Sequence, residues 1–141
     1  MTALRPPSRS PQVDDGPRVS YFPFPVKITR VYSDSLGDSH FGDVEVPLID
    51  QGKVGSLSEG VLVKEVLFRE NPADYNWDWH NAPRRQYIIM LDGRIEIETS
   101  DGSKRRFVGG DVLLVEDTEG KGHKTRNVGG TRRRSVFIPL E

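Results

Sequence analysis

Residues 86–99 read QYIIMLDGRIEIET, an apolar run followed by an Asp-Gly pair and then by strict alternation of polar and apolar side chains. Alternation with a period of two places every second residue on one face, which is the pattern of a half-buried β-strand over residues 94–99. The pair Asp92-Gly93 is typical of a tight hairpin turn, because both residues tolerate a positive φ. The stretch therefore predicts a β-hairpin.

Further turn signals divide the rest of the chain into short segments, and none of these segments has helical periodicity. Residues 101–102 (Asp-Gly) and 109–110 (Gly-Gly) predict two more hairpins, and residues 129–130 (Gly-Gly) separate the last two segments. Short strands spaced in this way are typical of a sandwich or a barrel. We therefore predict an all-β fold. The other strands are expected over residues 61–70, 104–108, 112–115, 122–128 and 134–138.

Composition limits the class of protein. The chain has 141 residues, which suits one domain with a single core. Its net charge of -1 gives no reason to expect nucleic acid as a partner. No run approaches the ~20 apolar residues of a membrane span, and cysteine is absent, which excludes disulfides and a thiol nucleophile. We predict a cytoplasmic protein with a small-molecule partner and with no nucleic-acid or membrane partner.

The N-terminal residues differ from the rest in composition. Residues 1–18 combine prolines with serines and charges, which predicts a flexible arm that buries little apolar surface. Residues 19–141 are expected to form the single domain. Aromatic side chains follow the arm at Tyr21, Phe22 and Phe24. They predict a homodimer in which this segment packs on a partner, or else a segment that packs on its own domain.

The stretch from His80 to Gly93 resembles the first of the two sequence motifs of the cupin family. His80 fits the first histidine of that motif and Gly93 fits its closing glycine. Ala82 stands where the family has a second histidine, and Gln86 stands where it has a glutamate. The leading glycine of the motif would fall at Asp74.

A second stretch resembles the second cupin motif. Gly120, His123 and Asn127 match its glycine, histidine and asparagine, while Thr118 stands in the place of its proline and Val112 in that of its leading glycine. Together the two motifs resemble the small single-domain cupins. This implies a cupin-type antiparallel β-barrel, also called a double-stranded β-helix or jelly roll. Such barrels host enzymes of several classes as well as binding proteins, so the resemblance leaves the activity open.

The resemblance also implies a pocket with His80, Gln86 and His123 on its wall. In metal-binding cupins, histidines and a carboxylate converge on a metal there. Asp78 would share the face of His80 on one strand and could supply the carboxylate. We therefore expect either no cofactor or a single divalent metal (Fe, Zn, Ni or Mn) held by His80, Gln86, His123 and Asp78.

Aromatic and basic residues near the two motifs are candidates for contact with a substrate. Trp77 and Trp79 could stack on a planar or apolar ligand, or could plug one end of the barrel. Arg85 could pair with a carboxylate or enolate, or could lie on a solvated surface. His40 is expected at a surface or interface. The expected substrate-binding residues are Gln86, Trp77, Trp79, Arg85, Met90, Phe68 and Asn127.

Three functions are compatible with this site. In the first, His80 and His123 are the catalytic acid and base of an isomerase or lyase-type enzyme that isomerises, cyclises, dehydrates or decarboxylates an apolar or aromatic metabolite. In the second, a bound metal makes the protein an oxygenase. In the third, the pocket binds a metabolite without turning it over. Chelation and turnover assays separate the three.

Overall fold

A computed structural model describes the backbone of Val19–Ser20 and residues 26–141. The predicted arm of residues 1–18 lies outside the described residues. So do Tyr21, Phe22 and Phe24, on which the homodimer rests. The arm, the single domain of residues 19–141 and the homodimer therefore remain predictions.

Regular structure in the described residues consists of thirteen strands and one 3-10 turn at Gly52–Val54. In chain order the strands are β1 (Val19–Ser20), β2 (Val26–Ser33), β3 (Ser39–Val46), β4 (Leu48–Asp50), β5 (Ser56–Leu57), β6 (Leu67–Asn71), β7 (Asn76–His80), β8 (Gln86–Met90), β9 (Arg94–Thr99), β10 (Lys104–Val108), β11 (Val112–Val115), β12 (His123–Asn127) and β13 (Arg133–Pro139). The all-β prediction is confirmed.

The described residues fall into two compact units. The smaller unit contains the described residues up to Lys27 together with Glu45–Val61, and its sheet has the strand order β1-β4-β5. The larger unit contains Ile28–Val44 and Leu62–Glu141. Within the residues that the structure describes, no helix is long and apolar enough to cross a membrane.

Two sheets build the larger unit. One has the order β10-β9-β12-β7 and the other has the order β3-β2-β11-β8-β13-β6. Strand β11 pairs in parallel with β2 and antiparallel with β8, its other neighbour in the sheet. Both cupin-like motifs contribute strands to the first sheet, because β7 and β12 are neighbours there.

A hydrophobic core lies between these two sheets. Alternate residues of β8 and β9 point inward, as the period-two pattern predicts: Ile88 and Met90 on one strand, Ile95 and Ile97 on the other are all buried. They pack in one cluster with buried residues of β2, β10 and β11. Burial of these side chains is the main favourable term in folding.

Two of the three predicted hairpins are wrong. Strand β8 lies in one sheet and β9 in the other, so Asp92-Gly93 carries the chain between sheets. A tight hairpin of the predicted type needs a positive φ at both turn residues, yet only Gly93 has one. The chain also changes sheets at Gly109-Gly110. Only Asp101-Gly102 joins paired neighbours, β9 and β10.

His40 lies on β3 between two carboxylates. Its Nε2 atom is 2.7 Å from Oδ2 of Asp34, and its Nδ1 atom is 3.0 Å from Oδ2 of Asp101. Carboxylates only accept hydrogen bonds, so both ring nitrogens donate at once only in the charged histidine. The bond with Asp34 raises the pKa of His40 most, and Asp101 raises it further against the opposing effect of desolvation.

We expect replacement of His40 by glutamine to flatten the dependence of the melting temperature on pH above 6.5. Folding raises the pKa of His40 above its ordinary value of 6.5, so its contribution to stability is complete below that pH. The contribution is lost as the pH rises through the folded-state pKa. Thermal melts of the wild type and the His40→Gln variant at several pH values above 6.5 measure the effect. Equal slopes of melting temperature against pH in the two proteins would contradict it.

Candidate functional site

His80 and His123 come together where β7 pairs with β12. The two residues are direct partners in the antiparallel register, and their ring centroids lie 4.5 Å apart. The register then shifts, so that Trp77 on β7 lies opposite Thr125 on β12. This bulge places an extra residue in β7 and changes which of its side chains face inward.

Asp117 holds His123 in place. The Nδ1 atom of His123 lies 2.5 Å from Oδ2 of Asp117, and both side chains are buried. A carboxylate only accepts, so Nδ1 carries a hydrogen and donates it. Sequence reasoning missed Asp117. The sequence does show three acidic residues between β11 and β12, and Asp117 is one of them.

A backbone carbonyl and an aromatic ring hold the side chain of His80. Its Nδ1 atom lies 2.7 Å from the carbonyl oxygen of Asp78, which fixes the hydrogen on Nδ1 because a carbonyl only accepts. The indole of Trp77 stacks on its ring at 4.0 Å between centroids. Desolvation lowers the pKa of His80, and the charges of His123 and Arg69 lower it further. The ring therefore tends to be neutral, with Nε2 able to accept a proton.

Three other predicted residues face the interior of the larger unit. Gln86 and Met90 are buried on the inward face of β8, and Met90 belongs to the core cluster. Asn127 is buried on β12, where its Nδ2 atom donates to the carbonyl oxygens of Pro72 and Thr131. Asn127 thus holds the chain that precedes β7.

Four predicted residues lie away from the two histidines. Phe68 is 80% exposed on the outward face of β6, which is the edge strand. Trp79 is 43% exposed, and Nζ of Lys124 lies 5.3 Å from its ring. Arg85 pairs with Glu116 at 2.6 Å. Because of these positions, the structure offers no support for substrate contact at Phe68, Trp79 or Arg85.

Asp78, the fourth, does not complete a metal site. Its side chain is 84% exposed, and its carboxylate accepts from the backbone N–H of Trp79. The nearest buried carboxylate, Asp117, is already bonded to His123. Among the residues that the structure describes, no group of three or more His, Cys, Asp and Glu side chains could hold a metal. Two imidazoles and the amide of Gln86 do not fit a tightly held divalent metal.

A separate cleft of about 390 Å³ lies beside β2 and is lined by Arg30, Tyr32, Asp34, Arg85 and Glu116 among others. Its two arginines share one carboxylate, because Glu116 accepts from both Arg30 at 2.5 Å and Arg85 at 2.7 Å. Neither His80 nor His123 lines this cleft. This cleft is therefore separate from the two histidines.

No family model matches this chain, and no curated protein matches it. Solved structures do match. A sugar phosphate isomerase of the cupin superfamily from Silicibacter pomeroyi is 15% identical with a TM-score of 0.46, over 83% of this chain and 71% of that one. A cupin 2 conserved barrel domain protein from Salinispora arenicola is 20% identical with a TM-score of 0.44, over 54% and 61%. A cupin domain from Bordetella pertussis is 17% identical with a TM-score of 0.41, over 83% and 95%.

These structures are similar to the chain in fold, and their sequences are too distant to carry an activity to it. The all-β fold follows from the strands themselves, and the likeness of the two motifs to those of cupins remains a resemblance. Function therefore has to be argued from the residues of the site.

Proposed function

We propose that this protein is an enzyme that moves a proton within a small organic molecule, without oxidation. The buried Asp117–His123 pair beside His80 is the observation that supports this most. One imidazole is oriented by a carboxylate, the other has a lowered pKa, and their rings are 4.5 Å apart. Pairs of titratable groups whose environments differ in this way are typical of acid–base catalysis.

The two histidines take different roles in this proposal. His80 is the base, because its neutral form is favoured and its Nδ1 hydrogen is held by the carbonyl of Asp78, leaving Nε2 to accept the proton. His123 donates an Nε2 proton to a second atom of the substrate, and the proton that His80 has accepted then replaces it across the 4.5 Å between the rings, so that no proton is gained or lost overall. Asp117 is a positioning residue that fixes the tautomer and ring angle of His123.

The surroundings favour an apolar or aromatic part in the substrate. Trp77 stacks on His80, and the ring of Tyr75 meets Trp77 edge-on at 6.4 Å between centroids. Phe137 packs against the core from β13. Ligand sites in proteins commonly combine apolar walls of this kind with a few polar groups. Isomerisation, dehydration, cyclisation and decarboxylation are the reactions that such a proton transfer serves.

The proposal is tested by comparing the metabolites of cells with and without the gene. We expect a compound to accumulate in cells that lack the gene, and we expect the purified protein to convert it at the same rate with and without EDTA. Loss of the rate in EDTA, with recovery on adding Fe²⁺, would instead identify a metal-dependent oxygenase. A compound that raises the melting temperature and is never converted would identify a binding protein. Either result would overturn the proposal.

A further inference from the structure

Two arginines lie on the inward face of β6 and β13 without an acidic partner. Arg133 is 2% exposed and Arg69 is partly buried. No carboxylate of the described residues pairs with either one. The outward-facing arginines of the same region do have such partners, since Arg132 pairs with Glu70 and Arg134 pairs with Asp92. The two inward arginines therefore bring uncompensated positive charge into the interior.

Neutral groups hold these two guanidinium groups. Both Nε and Nη2 of Arg133 donate to Oδ1 of Asn71, and its guanidinium carbon lies 5.3 Å from the ring of Tyr75. The guanidinium carbon of Arg69 lies 5.6 Å from the ring of Tyr75 and 5.0 Å from that of Phe137. The amide accepts hydrogen bonds from Arg133 alone, and neither the amide nor the rings carry a negative charge. Burial lowers the pKa of Arg133 to about 10.

The arginine pair is continuous with the catalytic histidines. The positive charge of Arg69 lowers the pKa values of both His80 and Arg133, so it acts on both groups. Tyr75 lies against both arginines and meets Trp77, which stacks on His80. Arginines, aromatic rings and histidines thus form one row of contacts, in which Trp77 is 48% exposed.

A second, independent feature lies beside Arg69. Ser135 on β13 is directly opposite Arg69 in the β6–β13 register, and it shares the inward face between Arg133 and Phe137. Ser135 is 0% exposed, and its Oγ atom has no hydrogen-bond partner. A buried hydroxyl without a partner is rare and indicates a missing donor or acceptor. An anion at Arg69 could accept from this hydroxyl.

We propose that Arg69, supported by Arg133 and Ser135, binds the carboxylate of a small organic acid whose reacting atoms lie at His80 and His123. This rests on the proposed acid–base function and names the class of its substrate. The planar fork of a guanidinium matches a carboxylate, and the aromatic walls at Tyr75 and Phe137 suit the carbon skeleton. A phosphate would call for further donors such as lysines, and the contacts described for Arg69 include none.

Binding of a carboxylate probe tests the proposal without turnover. Benzoate, acetate and formate are titrated into the whole protein, with benzamide as the uncharged match of benzoate and inorganic phosphate as a second anion. The readouts are the imidazole NMR signals of His80 and His123 and the tryptophan fluorescence, to which both Trp77 and Trp79 contribute. We expect saturable binding of benzoate and no binding of benzamide at the same concentrations.

Variants assign the binding to Arg69. We expect Arg69→Gln to weaken benzoate binding roughly tenfold or more, because a charge-assisted hydrogen bond is lost. Arg69→Lys keeps the positive charge but lacks the planar guanidinium. We expect its affinity for benzoate to lie between those of the wild type and Arg69→Gln. Arg134→Gln is the matched control, because Arg134 points outward from β13. This variant should bind benzoate as the wild type does. Circular dichroism checks that each variant is folded.

Several results would overturn the carboxylate site. These are the absence of binding for all three carboxylates, equal binding of benzamide and benzoate, unchanged binding in Arg69→Gln, or tighter binding of phosphate. The proposed function fails by a different result, full turnover after replacement of His80 and His123. Because probe binding needs no turnover, the two failures are distinguishable.

Discussion

His80→Ala and His123→Asn are each expected to lower turnover of the true substrate by about two to four orders of magnitude. The reason is that each variant removes one of the two groups that accept or return a proton, while the other stays in place. The remaining histidine of the pair keeps its own role, and the third histidine of the chain, His40, is held by Asp34 and Asp101 on β3. Steady-state kinetics on the compound that accumulates in cells lacking the gene measures the loss.

The choice of asparagine at His123 follows from Asp117. Alanine at this position would leave a buried carboxylate without its donor, which is destabilising in itself. The Nδ2–H of asparagine can donate to Oδ2 of Asp117 and does not titrate near neutral pH. His40→Asn removes the histidine on β3 and serves as a control with unchanged turnover. Full activity in both site variants would show that the histidines are not the acid and base.

Local patterns in the sequence were sufficient for most strands of the larger unit. Residues 104–108 and 112–115 were predicted with the bounds of β10 and β11. The alternation over residues 94–99 corresponds to β9, whose inward residues are Ile95, Ile97 and Thr99. Such patterns are informative because one face of each strand is buried and the other is not.

Strands β2 and β3 were missed because their local pattern is weak. In β3, only Ser39 is fully buried, and the remaining residues are intermediate or exposed. The buried contacts of Ser39 come from distant parts of the chain: its Oγ atom donates to the carbonyl of Gly122. Local periodicity is weak where few residues of a strand are buried, as in β3. Turn residues did not reveal which strands pair, because distant parts of the chain decide the pairing.

The candidate site was predictable in part. Offsets from Gly93 and Gly120 identified His80 and His123, which the structure brings together. Asp117 and Arg69 have no such motif, and their roles depend on contacts that only the folded chain makes. Neighbours of His80 were assigned by strict alternation along one strand.

The bulge in β7 breaks that alternation. Without the extra residue, Asp78 would share the face of His80 and Trp77 would lie on the other face; instead Asp78 is exposed and Trp77 stacks on His80. Trp79 is the direct neighbour of His80, and alternation places it on the opposite face with or without the bulge. The geometry therefore offers no support for a metal ligand at Asp78 or for substrate contact at Trp79.

Gly122→Ala is expected to destabilise the protein by about 3 kcal/mol or more and to abolish activity. Gly122 has a φ of +76°, and a Cβ there would collide with the carbonyl oxygen and carbon of His80. These are backbone atoms of the paired strand, so they cannot move aside without separating β7 from β12. The collision lies between the two histidines, because Gly122 precedes His123. Denaturant unfolding measures the free energy, and the imidazole NMR signals report the separation of the rings.

Gly130→Ala is the matched control for this change. Gly130 also has a positive φ, +67°, but nothing lies within 4 Å of the position of its Cβ. Only the backbone cost of a left-handed conformation remains, about 1–2 kcal/mol. If close approach of β12 to β7 at His80 holds the site together, Gly122→Ala must lose clearly more stability than Gly130→Ala and must also lose activity. Equal losses of stability in the two variants would mean that backbone conformation alone, and not the contact with His80, requires a glycine at position 122.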